Sequence, residues 1–321
     1  QEYTNSGYAD RVCFLNNPSR KLAHCVYTIG EFFRITYQEP LARMYLSKAR
    51  SLGLMLVLDE NTDSYTKVTI LNDMGQKFDS TRYTKSALSL LEQFQMESVK
   101  VKELKAEVEL SIGELQAQIE AKEIEEPELV PEDKALEEII GGSVAKTEFD
   151  FDEWNERAED SLEELGRPKD HYDYGKLMQI RAELSKQRGQ NSDTIHNYYS
   201  KASDIFERLG CDVECATVLS AEAAVFYEER RYEEAEISYG HAQILLQDRM
   251  SNQTIDIIEG RGRALKELGR EDEGDDFLKK AASMQNKLQE CCQRASSDIE
   301  NKRGQHLIAH KYLYTGAYLC C

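Results

Sequence analysis

The sequence predicts an all-α protein in which antiparallel helix pairs stack in series as an α-solenoid, interrupted by one acidic loop. Three observations predict it. Ala, Leu, Glu and Lys dominate the composition, only 5 prolines occur, and β-branched runs are scarce, all of which favours helix. Small and large residues recur at a near-constant step along the chain. One strongly acidic, proline-containing stretch breaks that recurrence.

The recurrence is clearest toward the C-terminus. Gly262, Leu265, Gly269, Gly274, Leu278 and Ala281 are matched, about 39 residues earlier, by Ala223, Phe226, Arg230, Ala235, Tyr239 and Ala242. A further shift meets Ala182, Gly189, Ile195, Tyr199 and Ala202, with one extra loop residue after Gly189. Near the N-terminus Gly30, Phe33, Ala42, Leu46 and Ala49 fit the same plan, and Gly75, Phe78, Ala87, Leu91 and Phe94 form another copy. A small residue on the first helix admits the second helix, and the large residue one turn on fills the space beside the crossing. The second helix carries its own small–large–small stripe on one face. Each hairpin leaves an apolar face open, so neighbours must stack to cover it.

The segment from Glu107 to Gln118 reads as the first helix of another copy, with Ile112 and Gly113 at the marker positions. Its partner is delayed. Between Glu120 and Glu164 lie 18 acidic and 4 basic residues, with Pro127, Pro131 and Gly141-Gly142 in the first part. Proline disfavours a continuous helix and the charge repels itself. The pattern resumes at Trp154-Asn155-Glu156-Arg157-Ala158, with Leu162 and Leu165 at helical spacing and Ala158 as the small residue of the second helix. Two readings stand for the interruption. It is a solvated linker, or it is an arm anchored by Phe149, Phe151 and Trp154 that docks onto a basic partner or onto the protein itself. The predicted organisation is residues 1–119 as an N-terminal repeat block, 120–152 as an acidic, partly disordered loop, 153–284 as a C-terminal repeat block and 285–321 as a capping helix and tail.

A net charge of -19 and a pI near 4.9 argue against nucleic acid and anionic lipid as partners. No apolar run approaches the ~18 residues of a membrane span. The 8 cysteines are irregularly spaced, which points to reduced thiols in a cytoplasmic setting; the chain opens on Gln1, which reads either as a removed leader, making a processed organellar protein the alternative, or as a fragment. Cys211 and Cys215, one turn apart, read as packing residues. His306 and His310 have the i, i+4 spacing of metal ligands, but Leu307 stands where a zinc protease needs glutamate, so this segment reads as a cap. Cys320-Cys321 has no GTPase phosphate loop elsewhere in the chain, which argues against a prenylated end. No nucleophile elbow, zinc-protease motif, P-loop or dinucleotide fingerprint occurs. No catalytic residue, metal or cofactor is expected.

The copies Val26-Ile29-Gly30-Phe33-Ala42-Leu46-Ala49 and Leu219 to Ala242, with Arg231-Tyr232-Glu233-Glu234-Ala235, resemble the tetratricopeptide repeat (TPR). The signature positions are Gly30, Ala42, Ala49, Gly75, Ala87, Ala223, Ala235, Ala242, Gly262 and Ala281. The resemblance covers roughly Lys21 to Met284. Gly274 replaces the usual alanine, the family proline at the repeat end is missing, and the units exceed the usual length of about 34 residues. The longer units resemble kinesin-light-chain and LGN-type members.

The resemblance implies a right-handed TPR superhelix with a concave groove lined by first helices. Carried over, the groove positions are His24, Tyr27, Glu31 and Arg34; Thr69, Asn72, Gln76 and Asp79; Lys176, Gln179, Glu183 and Lys186; Tyr227 and Glu228; and Glu259, Arg263 and Lys266. Of these, Tyr27, Glu31, Arg34, Asn72, Gln76, Gln179, Lys186, Tyr227, Arg263 and Lys266 are the candidate partner-binding residues. Members that hold a chaperone C-terminus use Lys and Asn where this chain has Tyr27 and Glu31; Glu31 would repel a carboxylate, which argues against that role. The expected function is a non-catalytic adaptor or scaffold that grips a basic or amphipathic protein segment, as a subunit or assembly factor of a larger complex. The rival is an autoinhibited or self-associating protein whose acidic loop occupies its own groove.

Overall fold

A computed structural model of the protein describes residues 20–35, 39–93, 98–122, 131–140, 149–247 and 249–301. The described residues form thirteen α-helices and no strand. They fall into two compact units, Gln1–Arg167 and Pro168–Cys321.

The first unit holds α1 (Arg20–Ile35), α2 (Glu39–Leu58), α3 (Ser64–Lys77), α4 (Thr81–Glu92), α5 (Val99–Lys122), α6 (Pro131–Ile140) and α7 (Phe151–Glu164). Helices α1 and α2 form one hairpin and α3 and α4 a second; α5 packs on α3 and α4 and takes α7 as its partner. The second unit holds α8 (Tyr172–Gln187), α9 (Ser192–Leu209), α10 (Asp212–Glu228), α11 (Tyr232–Leu246), α12 (Asn252–Glu267) and α13 (Glu271–Asn301), paired as three successive hairpins.

Local chemistry sets the ends. Asp63 accepts the Thr66 N–H at the start of α3, Asp150 accepts two N–H groups at the start of α7, and Ser251 accepts the Thr254 N–H at the start of α12. Each oxygen satisfies a donor with no partner inside the helix. Two hairpins of the second unit turn through left-handed glycine, Gly189 at φ 62° and Gly269 at φ 76°. The hairpin between them turns through Arg230 at φ 63°, where a side chain is disfavoured.

Every signature residue named above is buried. The small positions are small because backbones cross there. A Cβ on Gly30 would sit 2.8 Å from the Leu46 side chain, and one on Gly262 would sit 3.0 Å from the Gly274 carbonyl oxygen. The second contact explains why glycine replaces alanine at position 274: its own Cβ would meet the Gly262 carbonyl at 2.8 Å. Between the crossings the large residues close the core. In the second unit Tyr239, Leu246, Ile257 and Ala264 form one cluster, and Ile255, Ile258, Ala281 and Met284 the next. A buried aliphatic side chain of this kind contributes about 1.5–3 kcal/mol.

The stretch 120–152, expected as a loop, contains a helix. Pro131 opens α6, where a missing N–H costs nothing. The helix packs against α2 and α4. Leu136 and Asp133 are buried, Tyr83 donates to Asp133 Oδ1 over 2.8 Å, and Ser51 reaches Glu132 at 3.3 Å. The chain then rejoins the pattern at α7. Trp154 is buried and donates its indole N–H to the Glu109 carbonyl over 2.8 Å, with Phe149 and Phe151 each 6.0 Å from its ring; Ala158 is buried beside them. The three aromatics therefore anchor the end of the stretch within its own unit. The capping segment around His306 and His310, and Cys320-Cys321, lie outside the described residues.

Candidate functional site

The first helices of the first unit carry a run of paired polar groups. On α1, Glu31 and Arg34 form a two-bond fork at 2.6 and 3.0 Å, with Arg34 largely exposed. Tyr27 stands one turn earlier, edge-on to Phe78 at 5.5 Å with the Lys77 ammonium 5.7 Å from its ring centre. Burial, then the nearby Glu31, holds the Tyr27 phenol protonated well beyond the ordinary tyrosine range. Asp73 on α3 takes Arg20 from α1 at 3.3 Å and Lys77 from its own helix at 3.1 Å. Asn72 donates to Glu107 on α5 at 3.2 Å, and Gln76 donates to Ser111 at 2.9 Å.

These bonds make a ladder from α1 through α3 to α5. They also sort the candidates. Gln76 and Arg34 are exposed, whereas Asn72 is buried and ties two helices together. Glu107, Ser111 and Asp73 belong to the ladder and were not singled out from the sequence. Glu107 and Ser111 lie in the repeat copy marked by Ile112 and Gly113, but groove positions were carried over only to the other copies.

In the second unit the candidates are dispersed among ion pairs. Gln179 donates to Glu183 on its own helix at 2.9 Å, and Lys186 reaches Glu228 at 2.9 Å, joining α8 to α10. Tyr227 packs edge-on to Tyr232 at 5.3 Å. Arg263 pairs with Glu259 one turn before it, while Lys266 turns to Asp275 on α13 at 2.9 Å. Exposed pairs of this kind contribute little to stability, because solvent screens them.

A tighter polar knot also lies in this unit. His196 on α9 sits between Glu222, 3.3 Å from Nδ1, and Glu229, 3.2 Å from Nε2. Its ring stacks on Phe226 at 4.1 Å, and the Arg231 guanidinium lies 4.4 Å from the same phenyl ring. Burial raises the Glu222 carboxyl, while hydrogen bonds from Ser192, His196 and Arg231 lower that of Glu229 despite its partial burial. The knot fastens α9 to α10. Sequence reading missed it because its members do not share a repeat position. Among the described residues no three His, Cys, Asp or Glu side chains are placed to hold a metal, and no helix is long and apolar enough to cross a membrane. Cys215 is buried and Cys211 half-buried, both as free thiols.

The described residues define an all-helical protein built of successive helix hairpins. A particular solved structure of similar fold is the crystal structure of BtubC (BKLC) from P. vanneervenii. It is 15% identical, matches over 84% of this chain and 91% of its own, and has a TM-score of 0.50. No family model matches the sequence, and no curated protein does.

Proposed function

We propose that the chain is a non-catalytic adaptor of the tetratricopeptide kind, of the long-repeat type, wound as a right-handed superhelix. Its first helices would line a concave groove that grips a basic or amphipathic protein segment, within a larger cytoplasmic complex. The observation that carries this reading is the ladder of α1, α3 and α5. Hydrogen-bonded polar groups succeed one another on first helices, while the small signature residues behind them are consumed by packing. Paired polar groups on a rigid scaffold suit recognition of a peptide more than chemistry on a small molecule. The experiment is recovery of partners from native extract by the intact protein and by Tyr27→Ala/Arg34→Ala, each first shown to melt alike. Loss of a specific partner supports the groove, and undiminished recovery rejects it.

A second reading has one observation behind it: the acidic stretch docks on its own unit through Asp133 and Leu136. It is the autoinhibited or self-associating form. The helix it contributes lies against α2 and α4, which are second helices, so any inhibition would not come from α6 filling the groove. Deleting residues 120–152 and measuring mass and partner recovery tests it. Unchanged values would remove the reading.

A further inference from the structure

The space between consecutive second helices is treated differently in the two units. In the first unit α6 lies against α2 and α4. In the second unit the matching space, between α9 and α11 above α10, is an open cleft of about 280 Å³. Ser203, Glu207, Cys215, Leu219, Ile244 and Leu245 line it. In the register that sets Ala42, Leu46 and Ala49 on Ile195, Tyr199 and Ala202, the cleft residues Ser203 and Glu207 fall on Arg50 and Leu54. Those two are buried in the first unit, whereas Glu207 is exposed. The Glu207 position is covered in the first unit and bare in the second, and Ser203 is only half-buried where Arg50 is buried.

Two observations define what would cover the bare one. The first is apolar. Ile244 is 72% exposed and Ile237 54% exposed, on one stripe of α11 with His241 between them on the cleft wall. Single exposed aliphatics are ordinary, but two flanking a cleft with Leu219 and Leu245 inside make a continuous apolar seat. The second is charge. Asp204, Glu207 and Asp212 surround the seat, and burial followed by these carboxylates pushes the Cys215 thiol up to about 11. The floor is thus an uncharged thiol and aliphatic carbon inside an acidic frame, with Arg208 the nearby cation of α9 and its guanidinium turned to the Asp204 carbonyl.

We propose that this cleft docks a short amphipathic helix of a partner protein, anchored by a leucine-like side chain and carrying lysine or arginine on its flanks. In effect it is the α6 arrangement with the charge of the incoming helix reversed. The cleft is walled by the second helices α9 and α11 and floored by Cys215 and Leu219 of α10, and it shares no residue with the candidate groove positions, so it does not depend on the groove.

The probe is a labelled synthetic peptide of residues 131–140 carrying Glu132→Lys, Asp133→Lys, Glu137→Lys and Glu138→Lys, titrated with the full chain. Binding is expected to weaken at least tenfold in Ile244→Asp, to weaken in Glu207→Lys with a flatter salt dependence, and to be unchanged in Tyr27→Ala/Arg34→Ala. Ile244 is solvent-facing, so Ile244→Asp should keep the parent's helical melt. Equal affinity for Ile244→Asp, or equally tight binding of the unaltered acidic peptide, overturns the proposal. So does a dimer that Ile244→Asp dissociates, which would assign the patch to a second copy of this chain.

Discussion

Tyr83 donates its phenolic hydrogen to Oδ1 of Asp133 across 2.8 Å, and neither side chain has appreciable contact with solvent. The bond joins α4 to a helix inserted after α5, with Arg82 3.8 Å from the other carboxylate oxygen. Tyr83→Phe removes the donor and leaves the buried carboxylate short of a partner, so unfolding by urea should show a loss of about 1–3 kcal/mol. Burial, then Asp133, raises the Tyr83 pKa. A raised phenol stabilises fully below the ordinary tyrosine value near 10 and loses that contribution as pH rises past it. The wild-type protein should therefore lose more stability between pH 8 and pH 10.5 than Tyr83→Phe does. Parallel curves would assign the alkaline loss to other tyrosines.

Arg157 links α7 to two carboxylates, Glu92 at 2.7 Å and Glu109 at 3.1 Å. Glu109 is almost wholly buried, and burial raises its pKa against the pull of Arg157. Removing the arginine strands a buried charge. The expected loss for Arg157→Ala at pH 7 is about 2–3 kcal/mol, below the full figure for a buried pair because Arg157 is itself 34% exposed. A carboxyl with raised pKa favours the folded state when protonated, so that loss should shrink as pH falls toward 5. Chemical denaturation at the two pH values reads it. A loss that grows on acidification would contradict the assignment.

Gly274 stands where the repeat pattern usually has alanine, and its Cβ would meet the Gly262 carbonyl and the Lys266 side chain at 2.8 and 2.5 Å. Restoring alanine gains about 1 kcal/mol of helix propensity. It also drives carbon into backbone, at a cost of about 1–3 kcal/mol. Gly274→Ala should therefore be neutral to destabilising by about 2 kcal/mol. A clear rise in melting temperature would mean the α12–α13 crossing is looser than described.

Arg230 holds φ 63° at the hairpin turn where the neighbouring hairpins of the same unit use Gly189 and Gly269. Its N–H still closes the helix end on Tyr227 O at 3.0 Å, matching Gly269 on Lys266 O at 2.9 Å. Glycine relieves a left-handed strain of about 1–2 kcal/mol and returns part of it as unfolded-state entropy. Arg230→Gly should raise stability by about 0.5–1 kcal/mol, read as a higher melting temperature. A decrease would show that the Arg230 side chain does more at this turn than its exposure suggests.

By itself the sequence determined the helical class, the hairpin copies and the residues at their crossings. Gly30, Ala42, Ala223 and Ala242 were legible because the steric demand at a crossing is local and recurs with each hairpin, so it prints on the chain as a period. The return of the pattern at Trp154 and Ala158 was legible for the same reason. Only the tertiary structure decided the rest. The segment Pro131–Ile140 reads as a solvated acidic run, whereas the folded chain buries its Asp133 and Leu136 and bonds Asp133 to Tyr83, a pair that meets across 50 positions and shares no period. Asn72 with Glu107, and His196 with Glu222 and Glu229, are likewise polar pairs between helices. A directional bond fixes two side chains in space without constraining the residues between them, so it leaves no trace in spacing until the chain has folded.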